Sequence, residues 1–267
     1  MSVLYCLSEL IGSIIFLAGG YAFSAQLALK DTAVNKNRST TLEAAFAWGS
    51  SLALGVMVAA ALGGPAALNP AVLLGLLIMG GITGAQFGML LLMEFLAAGI
   101  AVLIVWIFFF NNFKDTVEGS KRGIFAAYPV KMDIPVNFLQ ELMASAMFIY
   151  ILFIGLMHNA PATPNMAMGS FAATNAIGAT GMVGQFVITL GCIIWIALTY
   201  SNTGWSMNPM RSVFSSIWYT ILPIQNKDKV DWKYQLIVNL CGSTIGMIIG
   251  VVLAVVTKNA LGNAGLL

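Results

Sequence analysis

Two short stretches decide the fold: Leu68-Asn69-Pro70-Ala71-Val72 and Met207-Asn208-Pro209-Met210-Arg211. Each Asn-Pro opens an apolar run, Ala71 to Met79 and Pro209 to Trp218. At about 1.5 Å per residue, neither run can cross a hydrocarbon layer of about 30 Å. Proline is favoured in the first turn of a helix, where its missing N–H would be unpaired anyway, and the preceding Asn can cap the free amides. Each Asn-Pro therefore marks the N-terminus of a half-helix. Placed end to end, the two halves cover about one membrane thickness and make a broken span.

Around these half-helices lie six apolar segments of full spanning length, near 4–28, 42–62, 83–110, 137–157, 183–201 and 234–257. Thr40 and Glu43 have capping-box spacing at the start of the second. The chain is 59% hydrophobic and only 8% charged, against roughly 25% charged in a soluble domain. This composition predicts a polytopic membrane protein. A net charge of +2, scattered over short loops, speaks against nucleic acid or a polybasic membrane patch. Cys6, Cys192 and Cys241 all fall in apolar stretches and read as reduced packing residues, neither disulfides nor metal ligands. The first segment has the length of a span and lacks a basic start or a cleavage site, so it reads as a transmembrane helix.

The halves of the chain repeat. Glu9-Leu10-Ile11-Gly12-Ser13 returns as Glu141-Leu142-Met143-Ala144-Ser145, and Leu68-Asn69-Pro70 returns as Met207-Asn208-Pro209. Three spans and one half-helix per repeat give an odd number of crossings, so the second copy is inverted. The expected fold is an all-α membrane protein, one channel domain over 1–267, with six transmembrane helices and two re-entrant half-helices. Repeat one covers about 4–110, a linker loop about 111–136, and repeat two about 137–257. Both half-helix N-termini then point to mid-membrane, where each offers about half a positive charge and repels cations. Asn69 and Asn208 can donate amide hydrogens to a passing oxygen without supplying a charge. Such a site suits neutral, hydroxylated permeants.

At these residues the chain resembles the aquaporin and glycerol-facilitator superfamily along essentially its whole length. The matching features are Ser8-Glu9-Leu10-Ile11-Gly12, Leu68-Asn69-Pro70-Ala71-Val72, Ala85-Gln86, the stretch Thr203 to Ser212 and a glycine-spaced last helix. The resemblance implies an aquaporin-like fold and pore motifs made by Asn69, Pro70 and Ala71 with Asn208, Pro209 and Met210. It also implies a selectivity filter of Trp48, Ile196, Trp205 and Arg211, and a homotetramer in the plasma membrane with one pore per subunit. Pore width, lining donors and an Arg barrier are the levers that set selectivity in such channels.

The permeant is read from the filter. Water-selective relatives commonly place a His on the fifth helix; here Ile196 holds that place, and the chain's one His, His158, falls after the fourth. Two aromatic rings beside one Arg resemble the glycerol-conducting branch, as does Gly123-Ile124-Phe125-Ala126-Ala127-Tyr128-Pro129 before the fourth helix. Ser212 after the Arg instead resembles the water channels, and Met210 and Ile196 are bulky enough to narrow a pore. The expected activity is a passive channel for water and small uncharged solutes such as glycerol, excluding ions and protons; a water-selective channel is the alternative.

Glu9 and Glu141 lie at matching places within spans, where the resemblance implies that they accept hydrogen bonds from the re-entrant loops. Glu94 interrupts the third span and has no role in that pattern. Cys192 shares a helix face with Ile196 and reads as packing. Gly242, Gly246 and Gly250 form a small-residue stripe for close helix packing. No cofactor, metal or enzyme is expected, since paired His, Ser-His and Cys-His sets are missing from the spans. An ion-coupled transporter also uses inverted repeats and broken helices, but would need a coupling site. The resemblance puts both termini in the cytoplasm, whereas counting Lys and Arg inverts the protein: Lys30, Lys36, Arg38, Lys114, Lys121, Arg122, Lys131, Lys227, Lys229 and Lys233 all flank the outer loops.

Overall fold

A computed structural model describes residues 2–37, 41–117, 119, 121–157 and 181–263. Its long helices are α1 (Val3–Ala28), α2 (Thr41–Ala61), α4 (Gly84–Phe108), α5 (Ile134–Met157), α6 (Gly181–Thr199) and α8 (Trp232–Asn263). Between α2 and α4 lies the half-helix α3 (Pro70–Ile78). Between α6 and α8, a π-helical turn, Met210–Phe214, runs directly into α7 (Ser215–Ile221). Among the described residues five helices are long and apolar enough to cross a membrane, and α6 contributes the shorter apolar run Phe186–Thr199. This is the fold expected of the sequence, an integral membrane protein of two inverted helical repeats. The second half-helix runs on to Ile221, past the expected end at Trp218.

Local signals account for several boundaries. Asn69 caps α3 in extended backbone, its Oδ1 accepting from Ala71 N at 3.0 Å, with Pro70 in the first turn. Asn208 repeats the cap on Met210 N at 2.9 Å. The α4 start has a full capping box: Thr83 Oγ1 accepts from Gln86 N at 3.3 Å, and Gln86 Oε1 accepts from Thr83 N at 2.8 Å. The box expected at Thr40 and Glu43 lies outside the described residues, as does His158.

The repeats interlock. Helix α1 packs on α2 and α4, α5 packs on α8 and α6, and α2 meets α6. Each half-helix also leans on the other repeat: α3 on α8, and α7 on α4. Close approach depends on missing side chains. A Cβ on Gly246 would stand 2.2 Å from Leu142 O, and one on Gly250 2.4 Å from Ala146 O, so the glycine stripe of α8 seats α5 against it. Cys192 is packing too, its thiol donating to Phe148 O at 3.6 Å.

Basic residues tie the connecting loops to the half-helix end. Lys121, buried, donates to Phe113 O at 2.7 Å and Gln225 O at 2.8 Å. Burial pulls its ammonium below the ordinary Lys range, while Asp228 nearby counteracts this. Arg122 pairs with Asp228 at 3.1 Å and lies 4.4 Å from the Tyr128 ring centre. Lys227 Nζ donates to Tyr219 O, Thr220 O and Leu222 O at 3.2, 2.6 and 2.8 Å, at the negative end of the α7 dipole.

Candidate functional site

The loops leading into α3 and α7 have the same unusual backbone. Ala66 and Leu68 in the first, and Trp205 and Met207 in the second, all take positive φ, between 46° and 52°. For residues with a Cβ this costs about 1–2 kcal/mol each, so the surroundings must impose it. They do so through two buried carboxyl groups. Glu9 Oε1 accepts from Leu68 N at 2.5 Å and Oε2 from Ala67 N at 3.3 Å. Glu141 Oε1 accepts from Met207 N at 2.5 Å and Oε2 from the Thr203 hydroxyl at 2.6 Å. Both acids sit in spans, fully enclosed, and hold the loop amides there.

The two loops are then stitched to each other. Asn69 Nδ2 donates to Met207 O at 2.8 Å, and Asn208 Nδ2 donates to Leu68 O at 2.7 Å. With each Oδ1 used as a cap, every atom of the two side-chain amides is fixed except the second hydrogen on each Nδ2. Both residues line a cavity that runs past this junction. The half-helix N-termini meet there, so the middle of the pathway is positive in potential and offers donors.

Beyond the junction the cavity is walled by Trp48, Trp205, Ile193, Thr189 and Arg211. The Arg211 guanidinium stands 4.2 Å from the Trp48 ring centre and 5.1 Å from that of Trp205, and the rings meet edge to face at 6.2 Å. Arg211 Nη1 donates to the carbonyls of Gly204, at 3.2 Å, and Trp205. Trp48 is 5% exposed and its indole N–H donates to Ser24 Oγ at 3.3 Å, so it faces the interior and not lipid. The rest of the lining, including Phe16, Val56, Val72 and Phe148, is apolar.

Two of the expected pore residues lie off the cavity wall. Ile196 is fully buried and absent from the cavity wall; Ile193 and Thr189, one and two turns earlier on the same face of α6, stand there instead. Three residues displace a side chain by about 4.5 Å along a helix, and at that depth Ile196 is enclosed in the hydrophobic core. Met210 is likewise fully buried in the core and off the lining, so neither bulky residue narrows this cavity. Pro70, Ala71 and Pro209 shape the half-helix starts without lining it.

Other parts of the site were given no structural role by the sequence. Tyr21 donates to Arg211 O at 2.6 Å and sits 2.5 Å from Ser215 Oγ, bracing the arginine's backbone from α1. Its signal was a phenol twelve residues after Glu9 in an apolar span. Thr203 completes the Glu141 clamp, and Ser212 Oγ pairs with Ser206 Oγ at 2.7 Å while accepting from Ala127 N at 3.3 Å. Gly204, at φ 83°, has no room for a side chain, since a Cβ would lie 2.5 Å from Tyr128 O.

Two inverted repeats, two half-helices meeting N-terminus to N-terminus and a lined pathway through their junction define a membrane channel, not an enzyme. The major intrinsic protein family model matches residues 2–254. The chain belongs to the major intrinsic protein family. It is 30% identical over 231 residues to glycerol uptake facilitator protein 2 of Lactiplantibacillus plantarum, covering 85% of this chain and 88% of that one. It is 28% identical over 248 residues to the glycerol uptake facilitator protein of Streptococcus pneumoniae, covering 92% and 94%. Its fold matches the aquaglyceroporin structure from Plasmodium falciparum with a TM-score of 0.73, at 17% identity and 93% coverage of both chains.

Proposed function

We propose that this channel passes water together with glycerol or similar small uncharged polyols, and excludes ions and protons. The observation that carries the reading is Arg211 set against the rings of Trp48 and Trp205 in a cavity that Ile193 also lines. A polyol has one edge of C–H groups and one of hydroxyls; the indole and isoleucine faces accept the first and arginine and backbone donors the second. Asn69 and Asn208 then take the hydroxyl oxygens at mid-membrane with their free amide hydrogens. Glycerol-facilitator relatives support the cargo. Cations are rejected by the arginine charge and by both half-helix dipoles, each acting in a low-dielectric setting.

The oligomer we infer is a homotetramer in the plasma membrane, and the orientation is that of the family, with both termini in the cytoplasm. The basic loop residues that argue for inversion include Lys121, Arg122 and Lys227, which are held by carbonyls or by Asp228. These contacts give them a structural role in holding the loops. The decisive experiment is stopped-flow light scattering of proteoliposomes with water, glycerol and urea. Vesicles should shrink in a glycerol gradient and re-swell quickly, and vesicles that never re-swell would refute the glycerol reading.

A further inference from the structure

Next to the Glu9 clamp lies a carboxyl group that the pathway does not use. Glu94, on α4, is fully enclosed, and among the described residues neither of its oxygens has a hydrogen-bond partner. The groups within its electrostatic reach are the Glu9 carboxyl on α1 and the backbone amide of Asn69. Among the described residues of α1, Tyr5 and Cys6 lie one turn before Glu9, and Tyr5 is within electrostatic reach of it. Arg211 is bonded to the Gly204 and Trp205 carbonyls, Tyr21 to Arg211 O, and Tyr219 to Asp228, while α3 carries none. Among the described residues no Lys, Arg or His acts on either carboxyl.

Two ionised carboxylates facing each other in a dry interior repel strongly, and each has also lost its hydration. One proton held between them removes the repulsion and turns it into a short, charge-assisted hydrogen bond. The bonding of Glu9 shows the vacancy such a donor would fill. In the second repeat, Glu141 receives an amide at 2.5 Å and a hydroxyl at 2.6 Å. In the first, Glu9 receives an amide at 2.5 Å, but its other oxygen has only the Ala67 amide at 3.3 Å. The first loop has Ala66, Ala67 and Leu68 before its Asn, with no hydroxyl to play the part of Thr203. The Asn69 backbone also lies within electrostatic reach of Glu94, next to the Ala67 and Leu68 amides that Glu9 accepts.

We propose that Glu94 carries a proton shared with Glu9 and acts as a positioning residue for the first pore loop, the counterpart of Thr203 in the second. It touches no permeant and acts through Glu9 and the Asn69 backbone. The permeability arm of its test rests on the channel reading above; the spectroscopic arm does not. In infrared spectra of the reconstituted protein, Glu94→Gln should remove one protonated-carboxyl stretch. Glutamine can still donate to Glu9, so water and glycerol flux should stay within about twofold of wild type, whereas Glu94→Leu, which cannot donate, should lose roughly fivefold or more. Retention of the protonated-carboxyl band in Glu94→Gln would overturn the proposal, as would equal flux through the Leu and Gln variants. Should Glu94→Leu not fold, the Gln variant decides by its band and its flux. A wild type that conducts water but no glycerol would count against the cargo and leave the carboxyl band to be read as before.

Discussion

Removing the Glu141 carboxylate should uncouple the second pore loop while leaving the helices assembled. Glu141→Leu keeps the side-chain bulk but abolishes the acceptors for Met207 N, at 2.5 Å, and the Thr203 hydroxyl, at 2.6 Å. Hydrogen bonds to a charged group contribute about 1.5–3 kcal/mol each, so about 3–6 kcal/mol of loop anchoring goes. Against that stands the cost of keeping Trp205 and Met207 at φ 46°, about 2–4 kcal/mol for the pair. The two are comparable, so without Glu141 the loop relaxes. Relaxation removes Met207 O as the acceptor for Asn69, at 2.8 Å, and moves the Trp205 carbonyl that holds Arg211. Glycerol and water permeability in proteoliposomes should fall about tenfold or more, a barrier change of about 1.4 kcal/mol per decade. Glu141→Gln retains one acceptor and one partner for the Thr203 hydroxyl and should lose only a few-fold. Size-exclusion chromatography and thermal unfolding in detergent separate loop relaxation from misfolding. A folded Glu141→Leu protein conducting at the wild-type rate would refute the clamp.

Three further outcomes follow from the geometry. Arg211→Ala should remove the charge set over Trp48 and Trp205 and admit a measurable proton or cation current in voltage-clamped bilayers; an electrically silent variant would place ion exclusion wholly at the half-helix junction. Ile193→Ala should open the wall and raise urea permeability, whereas Ile196→Ala, a core truncation, should leave selectivity alone and lower thermal stability, with a cost of about 2–5 kcal/mol typical of such cavities. Gly204→Ala forces a Cβ to within 2.5 Å of Tyr128 O at φ 83°, so folded yield should drop sharply; normal yield and melting temperature would refute the close approach.

The resolved geometry explains why some residues were legible in the chain alone. Asn69 and Asn208 are local devices: a cap, a proline and a run too short to span are all visible within ten residues. Glu9, Glu141 and Arg211 stand out because an ionisable group in an apolar span is costly unless something nearby engages it. Thr203 and Tyr21 carry no such signal, since a hydroxyl is ordinary in any helix or loop. Their roles arise from partners 62 and 190 residues away.

Hydrophobic run length and the Asn-Pro starts, by themselves, determined an inverted pair of repeats, two half-helices and a neutral pathway between them, because spanning length and helix capping depend only on neighbouring residues. Tertiary structure alone decided which α6 residues line that pathway. Helical periodicity places Thr189, Ile193 and Ile196 on one face, but depth and helix rotation choose the first two for the wall and enclose the third. The same packing sends Met210 into the core, crosses each Asn amide to the opposite loop, and brings Glu94 to Glu9. Contacts between residues far apart in the chain depend on how whole helices are seated, and that is set by many weak close approaches, such as those of Gly246 and Gly250, which no short stretch of sequence contains.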